Sequence, residues 1–151
     1  MSNGTTAGHT ESLPPGDLAL IEAARSTIRE RYRPGWHGVG AALRTRSGRI
    51  FTGVHLEATV GRIAVCAEAI ALGRAATEAG DTDIETIVAV AHPDASSPDQ
   101  SIHVVPPCGM CREMIADYSP TARVIVPDGE KLLTVVTIPE LLPHRYGTRT
   151  P

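Results

Sequence analysis

The sequence of 151 residues has only three cysteines, few aromatic side chains and no long apolar run. An odd cysteine count argues against a disulfide framework of the secreted kind. No segment supplies the roughly 18 uninterrupted apolar residues of a membrane helix. The first residues, MSNGTTAGHTESLPPG, also lack the basic start and apolar stretch of a signal peptide. We therefore expect a cytoplasmic protein that has no membrane partner.

The chain also lacks an excess of positive charge. It contains 14 Lys and Arg against 17 Asp and Glu, for a net charge of −3. Nucleic-acid binding draws much of its affinity from a basic surface, and single strands are often bound by rows of aromatic rings. Aromatic residues make up only 3% of this chain. The composition disfavours a nucleic-acid partner and favours a small-molecule substrate.

Helical patterns recur along the chain. Apolar residues at helical spacing predict a first helix over 17–32 with Asp17 as its N-cap. A segment rich in Ala, Leu and Glu predicts a second helix over about 66–79, ending at Gly80 as a C-cap. Pro107 precedes a third predicted helix over 111–118, and a last short helix is expected at 139–143.

Strand patterns alternate with these helices and complete one domain. A flexible tail over 1–15 and a single domain over 16–151 are expected, because 151 residues suit one core better than two. A polar loop is expected over 92–101. The predicted strands cover 39–45, 50–57, 86–92, 122–128 and 132–137.

Two of the three cysteines form the motif Cys108-x-x-Cys111, and that spacing is shared by zinc sites, redox pairs and buried structural cysteines. This pair and Cys66 each fall at the start of a predicted helix. Helix N-termini stabilise thiolates, which are the form of cysteine that binds zinc. Two such helices side by side would bring three sulfurs together and leave a fourth position open, as in a catalytic zinc site.

Glu68 lies two residues after Cys66, in the first turn of the second predicted helix. From there its carboxylate can lie beside a metal without binding it. A zinc-bound water with a neighbouring carboxylate is suited to hydrolysis, because the metal acidifies the water and the carboxylate carries protons. The alternative is that Glu68 only interacts with the helix dipole. Its combination with both cysteine motifs favours the hydrolytic interpretation.

The motif Cys66-Ala67-Glu68, followed by Pro107-Cys108-Gly109-Met110-Cys111-Arg112, resembles the signature of the cytidine deaminase family in its small three-cysteine branch. The segments VGAAL, IFTGV and ELLP extend the resemblance over about 17–146. It implies a three-layer α/β/α fold with a mixed sheet of about five strands and helices on both faces. It also implies one Zn²⁺ per chain, held by the three cysteines, with Glu68 as the catalytic residue.

The same resemblance implies contacts to the nucleoside substrate. The backbone of Ala67 would bind the pyrimidine oxygen, and the Pro106 carbonyl would accept from the amino group. Glu57 keeps the position of a sugar-binding Glu, whereas His55 replaces the usual Asn. A solvated His at a strand end is the alternative interpretation of His55.

Aromatic contacts to the base are harder to place, because so few aromatics exist. His37 replaces the family's base-packing Phe, and Trp36 is beside it. The resemblance implies that neighbouring chains of a homotetramer complete each active site. Tyr146 would cross into the neighbouring subunit, although a core position is the more ordinary use of Trp36 and Tyr146.

Three thiolates and Zn²⁺ sum to a charge of −1, which weakens the acidifying effect of the metal unless hydrogen bonds draw charge from the sulfurs. Many three-cysteine relatives have an Arg directly after the Glu, where this chain has Ala69. Arg112 is therefore predicted to tune the thiolate charge, against the alternative of an ordinary surface arginine. Glu113 replaces a common Gln, and the sequence offers no account of this change.

These observations predict zinc-dependent hydrolytic deamination of cytidine or deoxycytidine, with release of ammonia, as in pyrimidine salvage. The first alternative is a deaminase of a modified cytosine nucleoside such as the antibiotic blasticidin S. A non-catalytic zinc module is the second alternative, and the presence of Glu68 argues against it.

Overall fold

The computed structural model of the protein describes residues 13–147. Residues 1–12, which form most of the expected N-terminal tail, lie outside this part. A 3₁₀ turn at Gly61–Ile63 precedes the second helix, and a π-helical turn at Ala75–Ala79 follows it. The remaining elements are α1 (Pro15–Arg31), β1 (Val39–Thr45), β2 (Ile50–Val54), α2 (Ala67–Arg74), β3 (Ile84–Ala91), β4 (His103–Val105), α3 (Gly109–Tyr118), β5 (Arg123–Pro127), β6 (Leu133–Thr137) and α4 (Ile138–Leu141).

The six strands form one mixed sheet in the order β2-β1-β3-β5-β6, with β4 paired to β3 off this path. Only the β3 and β5 pair is parallel, and the other pairs are antiparallel. The expected α/β fold with a mixed sheet is confirmed. The additional strand, β4, has three residues and was not predicted, because so short a segment after a polar loop carries little periodicity.

Helices cover both faces of this sheet. On one face α1 packs Leu20, Ile21 and Ile28 against strand residues that include Val88 and Val90. On the other face α2 and α3 pack against the alternate strand positions, with members such as Ala71, Ile115, Leu43 and Ile87. Because successive strand side chains point to opposite faces, a continuous apolar strand such as β3 serves both cores.

The predicted N-cap role of Asp17 is wrong. Helix α1 begins at Pro15, whose fixed φ suits the first helical position, and Pro14 is the residue before it. The Asp17 carboxylate is buried and pairs with Arg44 of β1 at 3.0 Å and Arg123 of β5 at 2.9 Å. These contacts attach the start of α1 to two strands of the sheet.

Several predicted boundaries shift by a few residues. Strand β2 ends at Val54, so the segment 55–57 lies beyond it. Cys66 and Cys108 are N-cap residues, one position before the helices that they precede. The end of the second helical segment at Gly80 is confirmed, since Gly80 adopts a left-handed φ of 61°. Within residues 13–147, none of the helices has the length and apolar character needed to span a membrane.

Gly53 allows α2 to lie directly on β2. A Cβ atom at this position would stand 2.6 Å from both the Ala67 carbonyl oxygen and the Ala71 nitrogen. Real Cβ atoms do not approach backbone atoms so closely, so any larger residue would displace the helix. This contact fixes the first turn of α2, and therefore Cys66 and Glu68, relative to the sheet.

Candidate active site

The three cysteines converge at the N-termini of α2 and α3. Cys66 precedes α2, Cys108 precedes α3, and Cys111 lies in the first turn of α3. Their sulfur atoms all lie within 4.8 Å of one another, and the Sγ atoms of Cys66 and Cys108 are 3.4 Å apart. All three are free thiols. The folding of two helices onto one sheet thus joins residues more than 40 positions apart.

The spacing of this thiol trio fits a zinc ion. Tetrahedral ligands at about 2.3 Å from zinc place sulfur pairs about 3.8 Å apart, within the range that the trio adopts. Three cysteines leave one of four coordination positions free, which is the arrangement of catalytic rather than structural zinc. The Cys66, Cys108 and Cys111 group is therefore positioned for one metal ion per chain.

The protonation of the thiols depends on their surroundings. Burial raises the pKa of Cys66 and of Cys111, and the negative charge of Glu68 raises both further. Burial acts in the same direction on Cys108, but hydrogen bonds from the Cys111 backbone and from Cys66 outweigh it and lower the pKa of Cys108. Binding of a divalent cation must therefore displace protons from the trio.

Glu68 lies against the trio in the first turn of α2. Its side chain is 5% exposed, and the Cys111 thiol donates to its Oε2 over 3.6 Å. Burial raises the pKa of Glu68, while hydrogen bonds from its own backbone and from Cys111 partly oppose this shift. A buried carboxyl with a raised pKa keeps its proton to a higher pH than a solvated carboxyl does, which suits a group that takes up and returns protons beside a metal-binding site.

A pocket of about 180 Å³ opens beside Glu68 and the thiols. Three of the predicted substrate residues, His55, Ala67 and Pro106, lie in its wall. Val39 and Val105 also line it and were not singled out from the sequence. The motif VGAAL pointed to the segment that contains Val39, but β4, which delivers Val105 and then Pro106, left no detectable signal.

His37, Trp36 and Glu57, which were also predicted to contact the substrate, do not line the pocket. The His37 Nδ1 atom is 2.8 Å from the His55 carbonyl oxygen, and the Glu57 amide donates to the Trp36 carbonyl over 3.1 Å. The Glu57 carboxylate approaches the His55 Nε2 at 3.5 Å. The Trp36 ring packs against Arg33, 5.1 Å away. In this conformation His37, Trp36 and Glu57 support the segment that carries His55 and do not line the pocket.

Among the described residues, neither Arg112 nor Tyr146 makes a side-chain hydrogen bond to a thiol. The Arg112 guanidinium donates to the carbonyl oxygens of Pro107 at 2.8 Å and Leu141 at 3.3 Å. These bonds hold the segment before Cys108 against the end of α4, so thiolate tuning by Arg112 stays a prediction. The Tyr146 side chain is fully exposed and is outside the pocket of its own chain.

Comparison with known proteins agrees with this geometry. Residues 16–127 match the family model described as the cytidine and deoxycytidylate deaminase zinc-binding region. The chain is 48% identical over 137 residues to blasticidin-S deaminase of Bacillus cereus, a match that covers 91% of this chain and 96% of the relative. It is 35% identical over 109 residues to a cytidine deaminase of Halalkalibacterium halodurans, covering 72% and 76% of the two chains.

Solved structures show the same fold. Cytidine deaminase from Burkholderia pseudomallei superposes with a TM-score of 0.67 at 31% identity, over 85% of this chain and 98% of that one. The cytidine deaminase from Bacillus anthracis reaches a TM-score of 0.72 at 22% identity, over 86% and 89%, and supports the fold alone. With its cysteine trio and its matching sequence, the chain belongs to the cytidine and deoxycytidylate deaminase family of zinc hydrolases.

Proposed function

We propose that the protein catalyses hydrolytic deamination of a cytosine nucleoside such as cytidine or deoxycytidine. The products are the corresponding uracil nucleoside and ammonia. The observation that carries this proposal is the position of Glu68, a buried carboxyl in contact with one of three clustered thiols and open to a pocket. A purely structural metal site has no use for such a group.

The residues of the chain divide the chemistry between them. Cys66, Cys108 and Cys111 would hold the zinc ion, which would supply a nucleophile at neutral pH by lowering the pKa of a bound water. Glu68 accepts the proton that the attacking water releases and passes it to ring N3. Glu68 then takes the proton of the new C4 hydroxyl and delivers it to the amino group, so that the C4–N bond breaks, ammonia leaves and the C4 oxygen becomes the carbonyl of the uracil product.

Binding of the base depends on backbone groups in the pocket wall. The free N–H groups at the start of α2, where Ala67 lies, suit the pyrimidine oxygen. The Pro106 carbonyl, delivered by β4, suits the amino group that leaves. Since both groups belong to the backbone, their positions depend on the packing of α2 and β4 against the sheet.

Recognition of the sugar falls to His55 in the wall and to Glu57 behind it. Their side chains are 3.5 Å apart, and Glu57 is held by a hydrogen bond from the Ala58 amide at 2.9 Å. An imidazole in contact with a carboxylate can both donate to and accept from sugar hydroxyls. We propose that this pair binds the sugar, with Glu57 at the position of the family's Glu and His55 in place of its Asn.

A second candidate substrate is blasticidin S, a modified cytosine nucleoside. It is favoured by the 48% identity to a protein named blasticidin-S deaminase, against 35% to one named cytidine deaminase. The chemistry at the cytosine amino group is the same for both candidates. They differ only in the part of the substrate that extends beyond the base.

The pocket of the single chain supports an oligomeric enzyme. Its volume of about 180 Å³ is below the roughly 300–1,000 Å³ typical of small-molecule sites. We propose a homotetramer in which neighbouring chains complete each active site. Tyr146, fully exposed in its own chain, is the side chain proposed to cross to a neighbour.

An ammonia-release assay over cytidine, deoxycytidine, CMP, cytosine and blasticidin S tests the function. We expect turnover of at least one nucleoside by the zinc-loaded protein, and loss of most of this turnover in its Glu68→Gln variant. If the zinc-loaded protein is inert toward all five compounds, the proposal fails and a non-catalytic zinc module becomes the better explanation.

A further inference from the structure

Arg145 is held by two carboxylates of α3. Its Nε donates to Glu113 Oε2 over 2.6 Å, and its Nη2 donates to Asp117 Oδ1 over 2.6 Å. The same Nη2 also donates to the Glu113 carbonyl oxygen at 3.3 Å. Glu113 and Asp117 lie four residues apart, so they share one face of the helix. We call this group of Arg145, Glu113 and Asp117 the C-terminal clamp.

The clamp fixes a chain segment that otherwise points into solvent. His144, directly before Arg145, has a left-handed φ of 55°, and Gly147 has a φ of 60°. These two turns surround a half-buried guanidinium and the ring of Tyr146, which is fully exposed. The segment is therefore anchored through Arg145, while the neighbouring ring of Tyr146 does not pack into the core of its own chain.

The clamp is also built on the helix that carries two of the metal-binding thiols. Glu113 lies two residues after Cys111, in the turn that follows the thiol. The position of the C-terminal segment is thus fixed relative to the metal-binding group of its own chain. A role for Glu113, for which the sequence offered no account, follows from its contact with Arg145.

The pocket, in turn, lacks a surface on which a pyrimidine can stack. Within the described part of the chain, no Phe, Tyr or Trp lines it. Phe51 is buried in the core, Tyr32 stacks on His92, and Trp36 packs against Arg33. Tyr118 is exposed at the last position of α3, at the opposite end of that helix from the thiols. Tyr146 is fully exposed and directly follows the anchored Arg145, which suits a ring supplied to another copy of the chain.

We propose that Arg145 is a positioning residue: the C-terminal clamp holds the last described segment against α3 so that Tyr146 closes the substrate pocket of a second copy of this chain. The inference rests on the proposed function. It goes further by assigning a task to Arg145, Glu113 and Asp117, none of which touches the substrate. In this arrangement the planar base of the substrate packs against the phenol ring of Tyr146. Arg145 acts only by positioning that ring.

Arg145→Met tests the clamp while keeping a long apolar stem. We expect the KM for the nucleoside to rise about 3- to 10-fold, as for loss of one aromatic contact, with kcat, zinc content and oligomeric state unchanged. Arg145→Lys keeps the positive charge but loses the planar guanidinium that binds two carboxylates at once. Its KM should lie between those of Arg145→Met and the wild type. Glu113→Gln should also raise KM.

A matched control is Arg46→Met. Arg46 likewise links separate elements, through Asp83 at 3.2 Å and the Thr121 hydroxyl at 2.8 Å, but it follows the end of β1 that is distant from Val39 and the pocket. Its KM should equal that of the wild type. A KM rise of the same size in Arg46→Met would show a general loss of rigidity and would contradict the clamp.

Mixed oligomers test whether the ring acts on another chain. Tyr146→Ala keeps a complete Glu68 but donates no ring, whereas Glu68→Gln donates a ring but cannot turn over. Co-expression of these two variants should restore the wild-type KM in hybrid oligomers. Co-expression of Tyr146→Ala with the double variant Glu68→Gln, Arg145→Met should not restore it.

The possible results distinguish a failure of the proposed clamp from a failure of the proposed function. A wild-type protein that deaminates no nucleoside overturns the proposed function. An active wild type with an unchanged KM in Arg145→Met, or hybrids that keep the KM of Tyr146→Ala, overturns the clamp alone. Loss of zinc or of the oligomer in Arg145→Met would show a structural role and would also overturn it.

Discussion

The Sγ atom of Cys111 lies 3.6 Å from Oε2 of Glu68, so a buried thiol of α3 meets a carboxyl of α2 that lines the pocket. Neither helix alone could form this contact, because the two residues are 43 positions apart. The pair joins the metal-binding group to the proposed proton carrier.

Glu68→Gln should retain zinc but lose most turnover. Glutamine has nearly the same shape as glutamate and should not weaken zinc binding by the thiols, but its side chain cannot carry a proton. We expect kcat to fall by about 10²- to 10⁴-fold. Zinc content by elemental analysis and kcat by ammonia release check this. The control is Glu30→Gln on α1, which should be unaffected, and wild-type turnover in Glu68→Gln would exclude the mechanism.

Replacement of Cys66, Cys108 or Cys111 by Ala should remove zinc and activity together. A site with two thiols binds zinc much more weakly than a site with three. The zinc content should therefore fall from one ion per chain toward zero. Elemental analysis of protein purified without added metal measures this. A wild-type protein without zinc, or with a disulfide between Cys108 and Cys111, would refute the site.

Asp17 should make stability depend on acid pH. Burial by itself raises the pKa of this carboxyl, but hydrogen bonds and positive charge from Arg123 and Arg44 outweigh it, so the pKa lies below its ordinary value of 3.8. The ion pairs of Asp17 with Arg44 and Arg123 thus stabilise the fold fully above pH 3.8, and this contribution is lost as the pH falls through the lower pKa of the folded state.

Asp17→Asn tests this assignment. At neutral pH the variant should be less stable by about 3 kcal/mol, because two guanidinium groups lose their shared carboxylate. In urea titrations the difference between wild type and variant should shrink below pH 3.8. A difference that stays constant over the whole pH range would show that the charge of Asp17 contributes nothing.

Gly53→Ala should displace α2 and disturb the metal site. The added Cβ would meet two backbone atoms at 2.6 Å, and overpacking of this kind costs about 1–3 kcal/mol. Gly73→Ala, within α2 itself, is the control, since a Cβ there meets no atom within 4 Å. That variant should gain up to about 1 kcal/mol from helix propensity. Equal stability of the two variants would contradict the close contact.

Removal of residues 144–151 should weaken substrate binding without loss of zinc. The deletion takes away Tyr146 and its anchor Arg145 but none of the thiols. Substrate affinity by calorimetry with Glu68→Gln, which binds without turnover, measures the effect. Unchanged affinity, or full activity in a protein that light scattering shows to be a monomer, would exclude a crossing C-terminus.

The order of residues along the chain was enough to predict much of the fold and part of the site. Apolar periodicity, residue composition and helix-end signals predicted α1, α2, α3 and five of the six strands, because helices and strands impose their requirements on neighbouring residues. The coupled cysteine motifs and Glu68 were visible for the same reason. Each motif occupies one helix start, where the backbone places consecutive residues around a common point.

The tertiary structure alone decided which distant residues meet. Asp17 was expected to cap its own helix, yet its carboxylate binds Arg123, 106 positions later. Strand β4 is too short to show a pattern, but it delivers Pro106 to the pocket. Arg145 and Glu113 pair across 32 positions. A sequence records the chemistry of each side chain but not the distances between them, and long-range packing supplies those distances.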